Sequence, residues 1–148
     1  MCRAEEVLQM LEQERDQFSN ECIAQATKLT AEAKKMLLSN QLKEAILNNY
    51  NGIYTAMRAV LAIDDVFSEN DNQIEKEFRT RYIDNGMMSE ELVETLDKLT
   101  ETYDRLCCRG DDVIISKPEA GYFTSKANFF VIEAADYIVQ RNALTWGQ

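Results

Sequence analysis

The stretch from Gln41 to Asp65 is apolar over more than half of the circumference of the helix that its periodicity predicts. One row of apolar residues recurs every three to four residues, as expected for one face of a helix, and a second row lies beside it. The two rows are Leu42, Ile46, Ile53, Ala56, Val60 and Ile63, and Ala45, Tyr50, Tyr54, Met57 and Leu61. A helix that is apolar over this much of its surface has neighbours on several sides. The stretch therefore predicts a central helix inside a bundle.

Four polar side chains interrupt this apolar span: Asn48, Asn49, Asn51 and Arg58. Buried amide and guanidinium groups are costly unless each has a partner. Such residues commonly fix the register in which helices pack, and this is the interpretation that we favour. The alternative is that Asn49 or Arg58 faces a ligand-binding cleft. Both are therefore kept as candidate ligand-binding residues.

The pattern of residues 3–39 is helical almost throughout, but its apolar row is weak between Gln13 and Asn20. A serine can cap a new helix, so this weakness predicts a break or bend near Ser19. Residues 1–20 would then form an N-terminal helical extension. Ser39-Asn40 predicts a tight turn between the first long helix and the central helix. Because this connection is short, the two helices are expected to be antiparallel neighbours.

Three further helices are predicted over residues 73–84, 89–107 and 116–141. Ser89 is expected to cap the second of them, and Asn85-Gly86 is expected to end the first in a left-handed conformation. The chain has only five glycines and one proline, so long helices are uninterrupted. The predicted fold is all-α, an antiparallel helical bundle of about five helices in a single domain over residues 1–148.

Residues 64–72 (DDVFSENDN) separate the central helix from the next one. Their carboxylates resemble a calcium loop only superficially, because an EF-hand needs a glycine at its sharp turn and this stretch has none. We expect a solvated acidic loop. No metal site and no cofactor is predicted.

The charge and cysteine content narrow the class of protein. The formal net charge is −10, which opposes binding to a nucleic-acid backbone, so RNA binding is disfavoured. The four cysteines match no zinc spacing, and the chain contains no histidine. We interpret them as reduced thiols of a cytoplasmic protein. Without a secretory signal or an apolar segment of membrane-spanning length, no membrane association is expected.

One cluster has the density of a chemical site: Arg105, Arg109, Asp111 and Asp112, at a predicted helix end. If the cluster is structural, Arg105 lies near the negative end of the helix dipole and pairs with Asp111 or Asp112 after a turn at Gly110. If it is functional, the same groups bind a ligand or take part in catalysis. We expect the structural arrangement and keep the four residues as candidates for a site.

Several motifs resemble HEPN-domain proteins and occur in the same order as in that family. Residues 33–45 resemble the family's entry into the central helix, and residues 50–61 resemble the central helix itself, with Asn51 where a second tyrosine would stand. The spacing of Phe78, Tyr82, Ile83 and Gly86 is similar to a further motif. The segment around Arg105 and residues 119–130 resemble the two remaining motifs. The resemblance covers about residues 25–140, which it implies are a HEPN-like core.

The resemblance to the HEPN family implies an activity and binding partners. Many HEPN proteins are metal-independent ribonucleases or toxins with an Arg-x4–6-His motif, often homodimeric and paired with a small nucleotidyltransferase antitoxin. Arg105 can fill the arginine position, where it would neutralise a scissile phosphate. The histidine position falls at Gly110, Asp111 or Asp112, none of which is histidine. The resemblance thus implies a homodimer across the outer helices, with the ends of the fourth helices together.

Three functions follow as hypotheses. The first is a HEPN-like domain that acts by protein–protein interaction without an intact nuclease centre. The second is a ribonuclease toxin of a toxin–antitoxin pair that uses Arg105 with Asp111 or Asp112. The third is a nucleotide-binding or small-molecule-binding bundle with Asn49, Arg58 and Arg105 in its pocket; Arg109 is a further ligand candidate.

Overall fold

The computed structural model describes residues 2–68, 70–109 and 112–146, with side chains described between residues 11 and 142. Within this part of the chain five helices form an all-α bundle, as predicted. Their bounds are α1 Cys2–Leu38, α2 Leu42–Ile63, α3 Asp71–Phe78, α4 Glu91–Arg109 and α5 Lys117–Trp146. A π-helical turn, Arg79–Ile83, continues α3.

The central position of α2 is confirmed. Fourteen of its 22 residues are buried, including Ala45, Ile53 and Val60, which are fully covered. Its neighbours are α1, α3, α4 and α5, so it is surrounded as its two apolar rows predict. This burial makes α2 the common packing partner of the other helices.

The first two helices are antiparallel, and the tight turn between them is confirmed. Asn40 has a φ of 60°, and the amide of Gln41 donates to the carbonyl of Met36 at 2.8 Å. This is the six-to-one bond of a Schellman motif, with asparagine in the left-handed position. At the middle of the pair, Gly52 lets α1 approach closely, because a Cβ there would lie 3.0 Å from Thr30 Cγ2.

The predicted break near Ser19 is wrong, because α1 is continuous from Cys2 to Leu38. Ser19 does not cap a new helix. Its buried hydroxyl donates to the carbonyl of Ala59 on α2 at 2.8 Å. The polar residue that weakens the apolar row is therefore an interhelical contact, and α2 supports the helix where the sequence pattern is weakest. Residues 2–20 are the first half of α1.

The last helix runs in the same direction as α2, and α4 runs against both. Asn49 contacts Thr124 near the start of α5, and Asp64 contacts Arg141 towards its end. Tyr50 stacks on Tyr103 of α4, with ring centroids 3.7 Å apart. The parallel helices α2 and α5 thus run antiparallel to α1 and α4. The α5 helix also extends beyond the predicted end at Arg141, to Trp146.

The predicted helix ends are confirmed where local chemistry determines them. The Ser89 hydroxyl accepts from the Glu91 amide at 3.2 Å, and Gly86 has a φ of 71°. The Ser116 hydroxyl likewise accepts from the Glu119 amide. None of the helices in the described part of the chain combines the length and apolar character needed to cross a membrane.

Candidate functional site

The segment that follows α2 turns back towards α1. The Asp65 amide donates to the Ala62 carbonyl at 2.9 Å, and the Val66 amide donates to the Leu61 carbonyl at 2.9 Å. These two bonds form a Schellman motif, in which Asp65 takes the left-handed conformation with a φ of 66°. The motif redirects the chain so that Val66 and Phe67 lie beside α1 and the end of α2.

An aromatic cleft opens at this point. We use this name for the cavity lined by Phe18, Arg58, Leu61, Val66, Phe67, Ser68 and Ile74, which encloses about 520 Å³. The Phe18 and Phe67 rings lie 5.9 Å apart at 60° and are 42% and 59% exposed. Leu61 and Ile74 are buried. A cavity of this volume with apolar walls is typical of a ligand or side-chain pocket.

A second cavity of about 480 Å³ shares the two phenylalanines with the aromatic cleft. It is lined by Leu11, Glu14, Arg15, Phe18, Asp65 and Phe67. Leu11 is 58% exposed, so the apolar surface continues along α1 from the aromatic cleft. Arg15 lies 3.4 Å from the Asp65 carboxylate and bridges α1 to the turn. The two cavities therefore meet at the Phe18–Phe67 contact.

The rim of the aromatic cleft carries a charged pair. Arg58 Nη2 donates to Asp71 Oδ1 at 3.1 Å, and the two side chains are 37% and 44% exposed. Cys22 is buried near Arg58, and this burial raises the pKa of its thiol, so the thiol is protonated and not nucleophilic at neutral pH. Apolar walls with an ion pair at the rim suit recognition of a partner side chain better than acid–base chemistry.

A second polar cluster, around Asp64, has a structural role. The hydroxyls of Tyr82 and Tyr137 each donate to Asp64 Oδ2 at 2.6 Å, and Arg141 donates to Oδ1 at 2.9 Å through Nε and 2.8 Å through Nη2. The Asp64 side chain is only 13% exposed. The prediction of a solvated acidic loop is therefore wrong for its first residue, which binds the π-helical turn and α5 to the end of α2.

These bonds predict a loss of stability at alkaline pH. Burial raises the pKa of Tyr137 to about 12 and that of Tyr82 further, and the adjacent Asp64 carboxylate adds to both shifts. In the unfolded chain both phenols titrate near pH 10. The native state thus holds more protons above pH 10, and the free energy of unfolding should fall as pH rises from about 10 to 12.

Urea denaturation at fixed pH steps measures this effect. We expect the parent to lose stability more steeply between pH 10 and 12 than a Tyr82→Phe/Tyr137→Phe variant, which has no phenol at either position. The variant should be less stable at pH 8 because it lacks both hydrogen bonds. An equal slope in the two proteins would contradict the assignment of the shift to these tyrosines.

The structure separates the candidate ligand residues of α2. Asn49 is fully buried, and its amide nitrogen donates to the Thr124 hydroxyl at 2.9 Å, so it sets the register between α2 and α5. Asn48 contacts the Leu29 carbonyl of α1 at 3.4 Å and has a similar role. Asn51 is exposed. Arg58, in contrast, lines the aromatic cleft. This position agrees with the alternative interpretation, in which Arg58 faces a cleft instead of only fixing the packing register.

Arg105 lies away from the aromatic cleft, between the end of α4 and the start of α5. Arg105 is 3.7 Å from the Glu119 carboxylate of α5 and donates to the Thr102 hydroxyl at 3.4 Å. Among the described residues its ion pair is thus with Glu119, not with Asp112, which is exposed. Arg109 is exposed at the end of α4, and Gly110 and Asp111 lie outside the described residues. Arg105 lines a surface cavity of about 270 Å³ together with Tyr122 and Phe123.

Asn49, Arg58 and Arg105 therefore do not share a pocket. The residues that sequence reasoning missed are Phe18, Val66 and Phe67. Phe18 lies in the weak apolar row of α1, and the Val66-Phe67 pair lies inside an acidic stretch. The sequence signal for this cleft was the pair of adjacent apolar residues, Val66 and Phe67, among carboxylates. A fully solvated loop seldom contains two such residues together, so the pair indicates a packed segment or a binding surface.

Comparison with known proteins does not assign a family. No protein-family model matches the chain, and no curated protein matches it significantly. The HEPN-like character therefore remains a prediction from the sequence motifs. A functional proposal has to be based on the side chains of the aromatic cleft and of the Arg105 cluster.

Proposed function

We propose that this protein is a HEPN-like helical domain that acts by protein–protein interaction and has no intact nuclease centre. The observation that carries the proposal is the pair of exposed phenylalanines, Phe18 and Phe67, at the mouth of an apolar cavity of about 520 Å³. Exposed aromatic rings beside a preformed pocket are typical of surfaces that bind an apolar anchor side chain.

The partner is expected to present an apolar side chain with a polar flank. Leu61, Val66 and Ile74 line the interior of the aromatic cleft, whereas Arg58 and Asp71 form an ion pair at its edge. The apolar anchor would be covered by the phenylalanine rings, and the main chain around it would lie against the charged rim. A small nucleotidyltransferase, which the family resemblance implies, is the first partner to test.

Photo-crosslinking in the native cell tests the proposal. A benzophenone amino acid placed at Phe67 should capture a discrete partner, and Phe18→Asp in the same chain should reduce the yield by about 10-fold or more, the effect of losing a central anchor contact. The matched control carries the probe at Ile114, which is 90% exposed in the connection between α4 and α5. Equal capture from both positions would refute a specific role for the aromatic cleft.

We also expect no cleavage of a mixed RNA substrate by the purified protein. The chain has no histidine to act as general base, its net charge is −10, and Arg105 is paired with Glu119. The assay compares the parent with Arg105→Ala and, as a surface control, Arg81→Ala, which removes an exposed arginine outside the cluster. Cleavage that disappears only in Arg105→Ala would favour the ribonuclease toxin instead.

A further inference from the structure

The outer face of α5 carries a regular row of exposed positions. They are Tyr122, Ser125, Phe129, Ile132, Asp136 and Val139, which alternate in steps of three and four residues over about 26 Å of helix. The four apolar members are 37%, 61%, 53% and 66% exposed in chain order. We call this row the outer stripe. Such spacing is the a/d pattern of a helix that packs against one other helix.

The outer stripe lies away from the face of α5 that packs in the core, and one edge of it borders α4. The Tyr122 hydroxyl lies 3.3 Å from Thr95 Oγ1, and Phe129 lines a small cavity together with Leu92 of α4. Ala127, Phe130, Ala134 and Ile138 of α5 are buried against the rest of the molecule. A solvent-exposed face of a single domain is normally polar, so the three strongly exposed apolar residues Phe129, Ile132 and Val139 in heptad positions there are unexpected. The outer stripe therefore has the character of an interface that the single chain leaves open.

The order of residues in the outer stripe is self-complementary. Two α5 helices placed antiparallel about a two-fold axis bring together pairs that are equidistant from one centre. With that centre between Phe130 and Val131, Phe129 meets Ile132 of the other copy, and Tyr122 meets Val139. The remaining pair is Ser125 with Asp136, in which a hydroxyl can donate to a carboxylate. Each apolar position meets an apolar one, and each polar position meets a polar one.

The flanks of the outer stripe fit the same arrangement. On the side that borders α4 lie the half-buried Lys126 and Glu133. They occupy the positions that face each other across an antiparallel helix pair, so opposite charges meet twice by symmetry. On the other side Asn128 faces Ala135 of the other copy, and because neither side chain is charged, no like charges meet there. A parallel arrangement would instead place Lys126 beside Gly121 and Glu133 beside Asn128, so that neither charge has a partner.

From this complementarity we propose that two copies of the chain form a homodimer through antiparallel contact of their α5 outer stripes. A second copy is the occupant that matches the register, the apolar pairs, the polar pair and the flanking charges together. The aromatic cleft is lined by α1, α2, α3 and the turn after α2, so the dimer leaves it open. The proposal is therefore independent of what the aromatic cleft binds.

Multi-angle light scattering of the full chain over a micromolar concentration range tests the dimer. We expect a mass twice that of the 17.0 kDa chain. Phe129→Glu should raise the dimer dissociation constant by about 30-fold or more, as loss of a central interface contact does. Ile114→Glu makes the same chemical change at a 90% exposed position outside the outer stripe and should leave the dissociation constant unchanged. A monomer at all concentrations would overturn the proposal.

A charge exchange tests the register without disturbing the fold. Lys126→Glu and Glu133→Lys, made separately, each create like-charge contacts and should each weaken the dimer about 5-fold. The chain that carries both substitutions has opposite charges again and should recover the parental dissociation constant. If the double variant instead loses as much dimer affinity as the two single variants lose together, the antiparallel register is wrong.

Disulfide trapping tests the direction of the helices. In a Cys2→Ser/Cys107→Ser/Cys108→Ser background, in which the remaining Cys22 is buried, a chain with both Ser125→Cys and Asp136→Cys should form a covalent dimer on mild oxidation. The two positions are eleven residues apart on one helix, about 16 Å, so they cannot bridge within a chain. Efficient trapping by Ser125→Cys alone would indicate parallel helices and overturn the proposal.

Discussion

Replacing Asp64 by asparagine is expected to lower the free energy of unfolding by about 2–4 kcal/mol. The carboxylate accepts hydrogen bonds from Tyr82, Tyr137 and Arg141, and its side chain is only 13% exposed. An amide has a single acceptor oxygen, so its NH2 group faces either the two tyrosine hydroxyls or Arg141, and that side of the cluster loses its acceptor. For a chain of this length the melting temperature should fall by about 4–15 °C.

The neighbouring Asp65→Asn is the matched control. It removes the same charge, and asparagine tolerates the left-handed conformation that Asp65 adopts. The Asp65 side chain is 71% exposed, and its ion pair with Arg15 is long, at 3.4 Å, so the change should stay within about 0.5 kcal/mol. Thermal and urea unfolding followed by circular dichroism measure both variants. Equal effects in the two would show that the Asp64 cluster does not stabilise the fold.

Gly52→Leu is expected to have an effect of similar or larger size, a loss of about 3 kcal/mol or more. A Cβ at this position would already lie 3.0 Å from Thr30 Cγ2 and 3.6 Å from the Ala26 carbonyl oxygen. Leucine adds three further carbon atoms at this close contact between α1 and α2. The helices must separate to admit them, and the core around α2 then loses its close packing.

Gly121 is the matched control, since it is also a helical glycine. A Cβ there would have its nearest neighbour at 3.9 Å, the Leu37 Cδ2, which is an ordinary contact. Gly121→Ala should therefore raise stability by up to about 1 kcal/mol through helix propensity, whereas Gly52→Ala should gain less. The difference between the two alanine variants, read from urea midpoints, isolates the α1–α2 contact. A Gly52→Leu variant as stable as the parent would refute that contact.

The fold was largely predictable because its main signals are local. The double apolar row of α2, the capping serines Ser89 and Ser116, and the left-handed Gly86 each act within a few residues of sequence. The continuity of α1 was not predictable in this way. Its weakest segment is stabilised by the bond from Ser19 to Ala59, which is 40 residues away in the sequence.

The candidate site was predictable only in part, for the same reason. Arg58 could be suspected because a guanidinium in an apolar helix needs an explanation. Phe67 reaches Phe18 only because the turn at Asp65 adopts a positive φ, which is uncommon for a residue other than glycine. The Asp64 cluster unites groups 18, 73 and 77 residues apart, a distance over which a single sequence carries no pairing signal.

The packing of the last helix, α5, against α2 has a consequence for biosynthesis. Between the last residue of α2, Ile63, and the last of α5, Trp146, the ribosome adds 83 residues, which takes about 4–17 s at ~5–20 residues per second. During that interval the face of α2 that α5 covers has no permanent partner. Nascent chains are therefore expected to depend on chaperones for several seconds, and any chain truncated before α5 should aggregate or be degraded instead of accumulating as a smaller bundle.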